Sequence, residues 1–120
     1  MAGGKIRPWR EAREAMSLQR ARSAEEYVEW VKQAVFEVDD LRDCYDFQMD
    51  ELGRYPSFLE PLEEGIKSLY RSMEEGEYHF GREDLTFMPL VDRHGDDIPF
   101  AILLRQINET HRKGIDVVAE

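Results

Sequence analysis

The stretch that decides the fold is Ser23 to Leu52, SAEEYVEWVKQAVFEVDDLRDCYDFQMDEL. Within it Tyr27, Val31, Ala34, Val38, Leu41, Tyr45 and Leu52 recur at steps of three and four, interrupted only by Gln48, which is the period of one helix face. A strand would send alternate residues to opposite sides and scatter this set. Val28, Val35 and Met49 widen the seam beyond a two-stranded coiled-coil stripe, so the pattern predicts a long central helix packed against more than one neighbour. Ser23 and Glu26 have capping-box spacing at its start, and Gly53 supplies a stop.

Outward from this helix, Gly53-Arg54-Tyr55-Pro56 reads as a tight connection, and Ser57 with Glu60 repeats the capping-box pattern. Phe58, Leu62, Ile66, Leu69 or Tyr70, and Met73 then form a second amphipathic face, which after so short a connection implies an antiparallel hairpin. Glu74 to Glu83 reads as a loop ordered by burial of Tyr78 and Phe80, and Leu85 to Val91 as either an extended run or a single helical turn. Asp92 to Asp97 reads as a turn. Asp97 is then placed to cap a last helix carrying Pro99 in its first turn, Phe100, Leu103, Leu104 and Ile107 inward, and Gly114 at its end. Upstream, Pro8, Trp9, Ala12 and Met16 mark a short helix over residues 8–20. The expected fold is all-α: an irregular antiparallel bundle of about four helices built on one long central helix. Its 120 residues form one domain, with residues 1–22 as a basic arm and residues 23–120 as an acidic helical body.

The net charge of −10 is unevenly spread. Residues 1–22 hold Lys5, Arg7, Arg10, Arg13, Arg20 and Arg22 against Glu11 and Glu14, a net +4, so the other 98 residues carry −14. Such a body repels nucleic acid and anionic membrane and attracts basic protein surfaces. No apolar run reaches the ~18 to 20 residues a bilayer needs, and Met-Ala-Gly-Gly-Lys lacks the apolar core of a secretory signal. One cysteine, Cys44, permits no internal disulfide and fits a reducing cytoplasm.

Asp39, Asp43, Asp46 and Asp50 fall at steps of four, three and four on the long helix, with Glu37, Asp40 and Glu51 close by. Aspartate is a poorer interior helix residue than glutamate by a few tenths of a kcal/mol, roughly, and like charges at these spacings repel by a similar amount. A merely solvated face has no need of that choice. The stripe therefore points to a partner surface, to a hard cation held by carboxylates, or to a flank neutralised by the protein's own arginines. Trp30, off the seam beside Glu26 and Glu29, is a candidate interface anchor.

Glu26-x-x-Glu29 followed by Glu37-x-x-Asp40 loosely resembles the carboxylate pairs of the all-helical nucleotide pyrophosphohydrolases, which would imply a metal-dependent hydrolase. In that family the pairs face each other on two helices. Here both lie on one helix, about 16 Å apart, and only pairing between chains would let them share an ion. The histidines, His79, His94 and His111, show no ligand spacing, and His111 before Arg112-Lys113-Gly114 reads as a helix-end histidine. No motif supports a nucleophile, a phosphate-cradling loop or a cofactor.

The sequence thus leads to a non-enzymatic interaction protein, a regulator, inhibitor or assembly factor, which is cytoplasmic and homodimeric. It would bind a larger basic partner through Trp30, Glu37, Asp39, Asp40, Asp43, Asp46, Asp50 and Glu51. Two alternatives stand beside it: an acidic DNA mimic that occupies a nucleic-acid-binding protein, and a small metal-dependent hydrolase with carboxylates contributed across a dimer.

Overall fold

A computed structural model describes residues 19–48 and 53–116. They form helix α1 (Ala24–Phe47), helix α2 (Leu59–Glu74), helix α3 (Met88–His94) continued by a 3₁₀ turn (Gly95–Asp97), and helix α4 (Ala101–Lys113). No strand occurs among the described residues, and the helices pack on one another as an all-α bundle. None of these helices is long and apolar enough to cross a membrane. Of the helix expected over residues 8–20, residues 8–18 lie outside the described residues and residues 19 and 20 are not helical; Met49, Asp50, Glu51 and Leu52 also lie outside the described residues.

The predicted seam is the buried face of α1. Tyr27, Val31, Ala34, Val38 and Leu41 are buried, and Tyr45 packs half-buried at the end of the row. Ser23 caps the helix: the amide of Glu26 donates to its Oγ at 3.0 Å, while the Glu26 carboxylate accepts from the amide of Arg22 at 2.7 Å. This is the capping box with its return bond shifted one residue upstream. The helix is shorter than its pattern suggested. It ends at Phe47, where the amide of Gln48 closes back onto Cys44 and Tyr45 carbonyls.

Helix α2 lays Leu59, Leu62, Ile66 and Leu69 against this seam. It begins at Leu59, and the second capping box is not used. Phe58 stands at the N-cap, no side chain caps the helix, and Phe58 is instead buried in the core. Gly65 marks a close approach, because a Cβ there would stand 3.2 Å from the Cβ and Cδ2 of buried Phe87. The stretch left open between strand and helix resolves as helix α3, with Met88 and Val91 buried and Pro89 in its first turn, where the missing amide costs nothing. Helix α4 buries Leu104 and Ile107, but its N-cap is Phe100, buried in the core, and Asp97 belongs to the 3₁₀ turn.

Gly114 ends α4 with φ 92, a left-handed value that glycine takes without strain. The chain then turns back so that the amide of Asp116 donates to the carbonyl of Ala21 at 2.7 Å. Ala21 in turn gives its amide to Thr110 Oγ1 at 3.0 Å, and the Thr110 hydroxyl donates to the carbonyl of Gln106. Thr110 is fully buried, so this double use of one hydroxyl satisfies groups that would otherwise be costly. Arg20 adds bonds to the carbonyl of Lys113 and to Asp116. The segment entering α1 is thereby clamped to the end of α4.

Candidate partner-binding surface

A helix turns about 100° per residue, so Asp39, Asp43 and Asp46 lie within about 60° of one another on one stripe, but their surroundings divide the acidic residues of α1 into three groups. Asp39 and Asp46 lie on the flank facing α2. Lys67 reaches Asp39 at 2.8 Å and Glu63 at 2.7 Å, Arg42 reaches Glu63 at 2.8 Å, and the Arg42 guanidinium lies 5.0 Å from the centre of the Tyr55 ring. The Tyr55 hydroxyl donates to Asp46. The result is a ladder from Asp39 through Lys67, Glu63, Arg42 and Tyr55 to Asp46, with cations and carboxylates alternating.

The ladder shows in the protonation equilibria. The Asp39 and Glu63 carboxylates hold the Lys67 ammonium above its ordinary range. Partial burial works against the Glu63 carboxylate, but hydrogen bonds from Lys67 and Arg42 outweigh it and keep that carboxyl below its ordinary range. Hydrogen bonding to Asp46 likewise raises the Tyr55 phenol. Asp39 is thus spent on joining α1 to α2, and Asp46 on the connection between them.

Asp40 and Asp43 lie further round the helix, away from α2. Both are exposed and make no ion pair with the described residues. They share the outward face of α1 with two phenylalanines, Phe36 at 59% exposure and Phe47 at 92%. The four fall in the order Phe36, Asp40, Asp43, Phe47, steps of four, three and four, which places the rings about 16 Å apart on one side of the helix. Glu29 and Lys32 continue the same face toward the helix start, both exposed. Trp30 and Glu37 occupy the remaining flank. Trp30 packs half-buried against the core, and half-buried Glu37 accepts from Gln33 Nε2 at 2.8 Å. Asp50 and Glu51 lie outside the described residues.

The outward phenylalanines were not among the residues singled out from sequence. Their signal is an eleven-residue interval, three full turns, opposite the seam. Phe36 stands between buried Ala34 and Val38, where its neighbours make it look like one more core residue. Among the described residues no group of three or more His, Cys, Asp or Glu side chains is placed to hold a metal ion. In the ladder the position between Asp39 and Glu63 is filled by the Lys67 ammonium. No family model, curated protein or solved structure matches the chain.

Proposed function

We propose that this protein is a non-enzymatic interaction protein, a regulator, inhibitor or assembly factor, that binds a larger basic protein through the outward face of α1. The observation that carries this reading is the pairing, on one helix face, of two exposed phenylalanines with two aspartates that make no ion pair among the described residues. A singly exposed apolar residue is ordinary on any surface. Phe36 and Phe47 at a regular interval, with charge between them, are the arrangement by which a helix enters a groove: rings seat in apolar pockets and carboxylates meet lysines or arginines on the rim. The net charge of −10 steers such a partner before contact. Asp39, Asp46 and Glu37 shape the field around this face without making the contact, and Trp30 supports it from the flank.

The rival hydrolase draws less support, because Asp39 is already held by Lys67, while Glu26 and Glu37 accept hydrogen bonds from Arg22 and Gln33 of their own segment. A second copy of the chain is the competing occupant. An α1-to-α1 homodimer would set Asp40 and Asp43 against like charges, which favours a basic partner for this face. The exposed thiol of Cys44, one residue from Asp43, fits a reducing cytoplasm.

The test uses the partner that co-purifies from the native cell. Association measured in stopped flow should slow by about tenfold or more between low and physiological salt, and Phe36→Ser with Phe47→Ser should speed dissociation. If that double variant and Asp40→Lys with Asp43→Lys both bound the partner with unchanged kinetics, the face would not be the contact. Sedimentation of the protein alone reports the dimer, and competition by duplex DNA for the same partner would indicate the DNA-mimic version.

A further inference from the structure

On a different part of the molecule, a cleft of about 290 Å³ opens between α2, the segment before α3 and the last turn of α4. Its walls carry Ser68, Ser72, Thr86, Asp84 and His111, over a floor that includes Leu69 and Phe87. This is at the small end of ligand-binding clefts. Two of its polar side chains are held in place, Asp84 by a buried partner and His111 by a half-buried one. Asn108, 7% exposed, gives its Nδ2 to Asp84 Oδ1 at 3.0 Å and accepts the amide of Leu85 at 2.8 Å, so the carboxylate is fixed through one oxygen while Oδ2 is left uncommitted.

His111 is fixed through Nδ1, 2.7 Å from the hydroxyl of Tyr78, which is itself 2.8 Å from the hydroxyl of Tyr27. The far end of this chain sets its direction. Tyr27 also reaches the carbonyl of Ile107 at 3.4 Å, and a carbonyl only accepts. Taking Tyr27 as donor to Ile107, Tyr78 donates to Tyr27 and the imidazole donates from Nδ1, the tautomer this arrangement assigns. Nε2 is left as an acceptor. It lies beside Gly81, where a Cβ would stand 2.9 Å away, so a glycine there keeps that nitrogen uncrowded.

Each polar group of the cleft can thus accept a hydrogen bond: the Asp84 carboxylate, the neutral His111 imidazole, and the hydroxyls of Ser68, Ser72 and Thr86. Ser72 spends its own proton on the carbonyl of Leu69. We propose that this cleft binds a small primary alkylammonium group, the three N–H donors meeting Asp84, His111 and the hydroxyls, and the alkyl chain lying over the apolar floor. Charge points the same way. Asp84 and the net −10 of the chain disfavour an anion, while the carboxylate favours a cation. Two ligating side chains, His111 and Asp84, do not make a metal centre. The protein already sets a cation nearby: Arg112 Nε stands 3.7 Å from Asp84 Oδ1 and donates to the carbonyl of Arg82.

The test is a two-dimensional ¹⁵N NMR titration of the full chain at pH 7.5 with n-butylammonium chloride, against tetramethylammonium chloride and 1-butanol. Butylammonium should shift amides of residues 65–72, 84–87 and 111 with a saturable curve. Tetramethylammonium, which has no donor, and butanol, which has no charge, should each bind at least tenfold more weakly. Asp84→Asn should weaken binding at least tenfold and Arg112→Ala should tighten it, while Ser68→Ala, at an exposed position, should weaken it about threefold. Equal binding of all three probes would mark the cleft as a mere apolar hollow. Unchanged affinity in Asp84→Asn and Ser68→Ala, or no saturable shift at these residues, would overturn the assignment.

Discussion

At the scale of single residues, the Tyr27–Tyr78–His111 chain makes the most definite statement, because it couples protonation to packing. Burial pushes the His111 imidazole below its ordinary value, with Asp84 opposing. The unfolded chain therefore binds a proton more readily than the folded one. Stability is fully present above the unfolded value near 6.5 and is lost as pH falls from there through the lower folded value. His111→Gln should flatten the difference in melting temperature between pH 7.5 and 5. The phenols act at the other end of the scale. Burial pushes Tyr78 up to about 12, and it raises Tyr27 further still. Both therefore add stability below the ordinary phenol value near 10, which fades as pH rises past it. Tyr78→Phe should lose the chain at neutral pH and blunt alkaline melting, read by ultraviolet absorbance of ionised tyrosine. Thr110→Val is the matching test of the clamp: the shape is kept, the buried amide of Ala21 loses its acceptor, and about 1 to 3 kcal/mol should go, measured by urea denaturation.

At the scale of elements, apolar burial and charge pairing contribute unequally to joining α1 and α2. Leu62 is fully buried between them, so Leu62→Ala should cost about 2 to 5 kcal/mol. Lys67→Ala removes two rungs of the ladder, yet its ammonium is 35% exposed and should cost under about 1 kcal/mol. Equal losses in urea melts would mean that the ladder, and not the seam, holds the hairpin. Period carried the fold in the sequence: the spacing of Tyr27, Val31, Ala34, Val38 and Leu41, and of Leu62, Ile66 and Leu69, named both faces correctly. Caps were less legible. Ser57 and Asp97 have good capping chemistry, but burying Phe58 and Phe100 fixes where the helices begin, and a core aromatic outweighs a cap worth about 1 kcal/mol. The division of the aspartates was legible only in part. Asp39 and Asp43 are four residues apart in the sequence, and which of them meets a lysine depends on where α2 lies. The cleft was less accessible still, since Ser68, Asp84 and His111 come from three separate segments and no local spacing joins them.

At the scale of the whole molecule, a surface kept for binding and a surface kept for folding respond oppositely to the same substitution. The body carries a large negative excess, and compactness brings like charges together, so neutralising it should stabilise the folded state. Asp40 and Asp43 make no ion pair with the described residues, and Phe36 and Phe47 leave most of their surface in water. Among the described residues, no ion pair or buried contact depends on these four. Phe36→Ser and Phe47→Ser should therefore change stability by no more than about 0.5 kcal/mol each, and Asp40→Lys with Asp43→Lys should leave it unchanged or raise it. The same variants should weaken the partner complex, the phenylalanine pair through faster dissociation and the lysine pair through slower, less salt-dependent association. Thermal melts and binding kinetics on one set of proteins decide the matter. A face needed for packing would lose stability and binding together, whereas a face held for a partner would lose binding alone.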